Sequence, residues 1–63
     1  MRKISEIRDA VVASRGSGEL VMLSMRVMVA TGVSLKDPKP EHDSDPARVQ
    51  QVRKALTDLG VTV

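Results

Sequence analysis

The sequence predicts an all-α fold: a single compact three-helix domain over residues 1–63, with helices at about 3–15, 18–31 and 46–59 and an acidic, proline-containing loop at 34–45. Three observations lead there. Apolar residues recur at spacings of three and four in the first and last segments, the period of an amphipathic helix. Helix start and stop residues bracket those segments. The middle segment, Glu19 to Val33 (ELVMLSMRVMVATGV), is apolar on most of its circumference when wound as a helix.

In the first segment Ile4, Ile7 and Val11 share one face, with Ala10 and Ser14 beside them and Ser5, Glu6 and Asp9 opposite. Arg15 suits the negative end of the helix dipole, and Gly16 follows as a C-cap. Gly16-Ser17-Gly18 then reads as a short connector in which Ser17 caps the second helix and Glu19 occupies its first turn. The second helix runs to about Thr31, and Gly32 ends it. A strand over 20–30, giving an α+β fold, is the competing assignment, because a period of two also fits. Both strand faces would be apolar with nothing to pair against, and Leu and Met favour helix.

Pro38 and Pro40 disfavour helix within the polar stretch from Ser34 to Asp45. Asp45 followed by Pro46 reads as an N-cap and first helical residue. Val49, Val52, Leu56 and Leu59 then form the inward stripe, and Arg48, Gln50, Gln51, Arg53, Lys54 and Asp58 lie outside it. Gly60 terminates the helix, with Val61 folding back as in a Schellman cap.

A chain this short has difficulty burying a helix that is oily on most sides. Small domains compensate with disulfides, a structural metal or oligomerisation. With no Cys, Phe, Tyr or Trp in the sequence, disulfides and cysteine zinc sites are excluded and the core must be aliphatic. Self-association into a homodimer is therefore expected. Leu20, Leu23, Met25, Val27 and Met28 are the expected partner interface, Met22, Met25 and Met28 being flexible fillers suited to an adaptable surface.

The residues offer little for catalysis, and a non-enzymatic protein without cofactor, metal or small-molecule substrate is expected. His42 is the only histidine, in Glu41-His42-Asp43-Ser44-Asp45. Imidazole and carboxylates together can bind a divalent metal or act as a general base, but a proline-flanked loop gives them no fixed geometry. Gly16-Ser17-Gly18 lacks the lysine-serine pair of a phosphate loop and follows a helix rather than a strand. The N-terminus carries charges where a signal peptide would be apolar, and the apolar stretch is short for a bilayer span. A cytoplasmic protein with no membrane contact is expected.

Charge is uneven. Residues 1–33 carry +2, residues 34–46 carry −2 and residues 47–63 carry +2. Arg48, Arg53 and Lys54 on the last helix, with Arg2, Lys3 and Arg8 at the N-terminus, are the expected phosphate contacts if a dimer binds duplex DNA. Without aromatic stacking platforms, single-stranded recognition is not expected. Val29-Ala30-Thr31-Gly32-Val33-Ser34 resembles the turn of a helix-turn-helix, and Asp45 to Val61 is similar to the third helix of bacterial helix-turn-helix repressors. Leu35 to Pro40 departs from that pattern, so the reading helix would be Pro46 to Leu59 after a long turn. The expected function is a homodimeric DNA-binding regulator of bacterial or phage type. The alternative is a protein–protein interaction module (inhibitor, adaptor or assembly factor) docking through its Met-rich helix.

Overall fold

Isoleucine and valine at three-four spacing wind the first segment into α1, Ile4–Arg15, in the computed structural model, which describes residues 3–63. Ile4, Ile7 and Val11 are fully buried. Lys3, the N-cap residue, makes no side-chain capping bond. The cap comes instead from far along the chain. The Ser5 backbone N–H donates to Asp43 Oδ1 at 2.9 Å, and Ser5 Oγ donates to Oδ2 at 3.3 Å. A carboxylate at this position satisfies an orphan amide and complements the helix dipole.

The connector between the first two helices is Gly16 alone, not the three residues expected. Its φ of 90° and ψ of 161° lie in a region open almost only to glycine. Gly16 N–H donates to the Val12 carbonyl at 2.9 Å, and its own carbonyl accepts from Leu20 N–H at 3.2 Å. Because one residue makes the whole turn, α2 begins at Ser17 and extends to Thr31, and the Ser17 side chain caps nothing. The segment is helical, and among the described residues there is no strand.

The following stretch is more structured than a polar loop. Val33 and Leu35 are fully buried core residues. Lys36 N–H donates to Ser24 Oγ on α2 at 3.1 Å, which satisfies the one buried hydroxyl of that helix. Pro40–Asp43 forms a single helical turn, α3. Proline lacks an N–H that the first turn leaves unpaired anyway, so at the first helical position Pro40 starts this turn rather than preventing it.

α4 spans Pro46–Asp58, and Asp45 Oδ1 accepts from Ala47 N–H at 3.0 Å. Its end has the Schellman bonds: Val61 N–H to the Leu56 carbonyl at 2.8 Å and Gly60 N–H to the Thr57 carbonyl at 2.9 Å. Val49, Val52, Ala55 and Leu56 point inward. Leu59 does not: it is the C-cap residue, already past the last turn, and is 38% exposed.

Arg15 donates to the Gly60 carbonyl at 3.4 Å at one end, while Ser5 meets Asp43 beside the start of α4 at the other. α1 and α4 therefore run in the same direction. Thr31 shares a groove with Gln51, and Met25 shares a hollow with Leu59, so α2 runs opposite to α4. Aliphatic side chains from α1, α2, α4, the 33–35 stretch and Val61 fill the space between them, within a body of 25 × 19 × 17 Å.

Candidate interaction surface

α1, α4 and the 33–36 stretch cover one side of α2. Leu20, Leu23, Ser24 and Val27 lie on that side and are buried. Three residues expected at a partner interface are thus corrected: Leu20, Leu23 and Val27 are enclosed by the chain's own core. Met25 and Met28 do face solvent, and Val21, Met22 and Val29 join them. At 100° per residue these five span about 120° of the helix. Met25 is 67% and Val29 89% exposed, and the other three are about half exposed.

The face carries no charge among its five side chains. Glu19 and Arg26 lie together on one flank, and Glu19 is held at 3.1 Å by Arg15 of α1 across the Gly16 turn. Leu59, the C-cap residue after α4, lies next to the face and, with Met25, Arg26 and Val29, lines a shallow open hollow of about 360 Å³. Scattered exposed apolar residues are ordinary on soluble proteins, whereas a contiguous patch marks a contact surface.

Of the six cations expected to contact phosphate, the three on α4 do not share one face. Arg2 lies outside the described residues. Lys3 is exposed ahead of α1, and partly buried Arg8 pairs with Asp9 at 3.1 Å. Arg48 is partly buried and donates to Gln51 Oε1 at 3.2 Å. Five residues of helical rotation place Arg53 about 140° away from it, so Arg48 and Arg53 face different sides of α4. Arg53 and Lys54 are exposed and, with Gln50 and Thr57, line an open polar groove.

The acidic segment has structural duties: Asp43 caps α1 and Asp45 caps α4. His42 is half buried within α3. Among the described residues, no three His, Asp or Glu side chains group as metal ligands, and no helix is long and apolar enough to cross a membrane. Comparison with protein-family models, curated proteins and solved structures found no match.

Proposed function

We propose that this chain is a non-enzymatic interaction protein that acts by pressing the outer face of α2 onto another protein surface. The observation that carries this reading is the uncharged apolar face of Val21, Met22, Met25, Met28 and Val29, presented on a helix whose opposite side is anchored in a filled core. Unbranched methionine side chains repack at little cost against a partner, which suits a recognition surface. A photo-reactive amino acid in place of Val29 tests it in living cells. The expected result is one adduct of defined mass that disappears when Met25→Lys is added, while the same probe at Gln50 gives none. No adduct at position 29 would overturn the reading.

A second reading, binding of duplex DNA, is favoured by one observation. Arg53 and Lys54 have no ion-pair partner among the described residues and stand beside Gln50 and Thr57 on the open side of α4. Two such copies would neutralise four phosphates, so log K should fall against log salt with a slope of about −3.6. Arg53→Ala with Lys54→Ala should remove that slope and leave helix content unchanged. Absence of any duplex binding at low salt would dispose of it.

A further inference from the structure

The large apolar residues exposed on α2 read the same in both directions. In order along the helix they are Val21, Met22, Met25, Met28 and Val29, with Met25 at the centre. Val21, Met25 and Val29 make a ridge at spacings of four. Met22, Met25 and Met28 make a ridge at spacings of three. The two ridges cross at Met25, the most exposed of the three methionines on this face.

That symmetry matters for one kind of contact in particular. In a two-fold interface, residue i of one copy meets j of the other, and j meets i. Two antiparallel helices related by an axis through Met25 place Val21 against the partner's Val29, Met22 against the partner's Met28, and Met25 against its own counterpart. Every position then opposes a side chain of its own type and size. We propose that the occupant of this face is a second copy of the same chain, packed α2 against α2 in antiparallel register about Met25. The proposal rests on the reading of this face as a protein-contact surface and names its partner.

Area and charge support the same occupant. With Leu59, the whole exposed surface of these residues is roughly 600 Å² per copy, the most the contact can bury from them and the lower range of what specific interfaces bury from each partner. It is also the upper end of the roughly 300–600 Å² that the largest apolar patch on a monomer occupies. Interdigitating ridges at spacings of four give a crossing near −50°, which leaves the flanking Glu19 and Arg26 at the rim in water. Membrane-surface helices surround their apolar face with several cations. Here Arg26 is the only cation on α2, so a lipid surface fits less well than a second copy.

The test uses the full chain, purified, with molar mass measured in solution over a hundredfold range of concentration. The expected result is concentration-dependent growth toward twice the 6.8 kDa chain mass, unweakened by added salt because the contact is apolar. Met25→Lys should weaken association at least a hundredfold with the circular-dichroism spectrum unchanged, since its side chain is largely in solvent. Register is tested separately, because the chain lacks cysteine and backbones at a close helix crossing come within disulfide reach. Met25→Cys should cross-link to itself rapidly. Val21→Cys and Val29→Cys should each self-cross-link slowly but join one another rapidly when mixed. A mass of one chain at all concentrations would overturn the proposal, as would rapid self-cross-linking of Val21→Cys. If the purified chain is monomeric while the photo-probe at position 29 still yields its defined adduct, the second copy is wrong and the contact surface stands. If both fail, both readings fall.

Discussion

The two sides of α2 are made of the same kind of residue and meet opposite fates. Leu20, Leu23 and Val27 are enclosed, while Val21, Met25 and Val29 stand in water only one or two positions away along the chain. Hydrophobicity therefore decides that this helix must be covered, and its neighbours decide which side they cover. Polar residues usually mark the solvent side of a surface helix; here the markers are few. Ser24, although polar, points inward and accepts from the Lys36 amide.

The sharpest way to break this contrast is a charge on each side. Leu23→Asp buries an unpaired carboxylate in an aliphatic core, and loss of the folded state is expected, about 4 kcal/mol or more, read as lost helical circular dichroism. Next comes a residue outside every helix. Leu35 is fully buried, so Leu35→Ala should cost roughly 2–5 kcal/mol in chemical denaturation, as much as truncating a helix core position. A polar loop lying on the surface would lose almost nothing. Asp43→Ala removes the distant cap of α1 and should cost about 1 kcal/mol, with Asp43→Asn retaining part of it. Val29→Lys, on the outer side, should change the stability of a single copy by no more than about 0.5 kcal/mol. A larger loss there would show that the outer face already supports the fold of the individual chain.

These differences follow the range of the interactions involved. The local signals in the sequence were informative: Ile4, Ile7 and Val11 mark the inner face of α1, Asp45 and Pro46 start α4, and Gly60 with Val61 closes it. Each depends on residues within a turn or two of one another. The Ser5–Asp43 cap joins positions 38 apart, and nothing near Lys3 or Ser5 announces it. Val33 and Leu35 sit among polar neighbours without helical period, so no pattern marks them as core. Gly16 needed only its own backbone freedom to make the turn, which made the longer connector unnecessary. The exposed apolar face was half legible. That α2 exceeds what its neighbours cover was readable from composition, but the orientation that turns Val21, Met22 and Val29 outward depends on where α1 and α4 lie. The placing of the cations is hidden for a simpler reason: helical rotation separates Arg48 from Arg53, although both lie outside the apolar stripe.

The outward methionines also tie this surface to the oxidation state of its surroundings. Peroxide converts a thioether to a sulfoxide, adding a polar, stereogenic oxygen that methionine sulfoxide reductases can remove. Met22, Met25 and Met28 are all exposed residues that carry an oxidisable thioether, whereas the valines and leucines of the interior offer no such chemistry. An oxidant can therefore make this face hydrophilic while leaving the aliphatic interior untouched, and reduction can restore it.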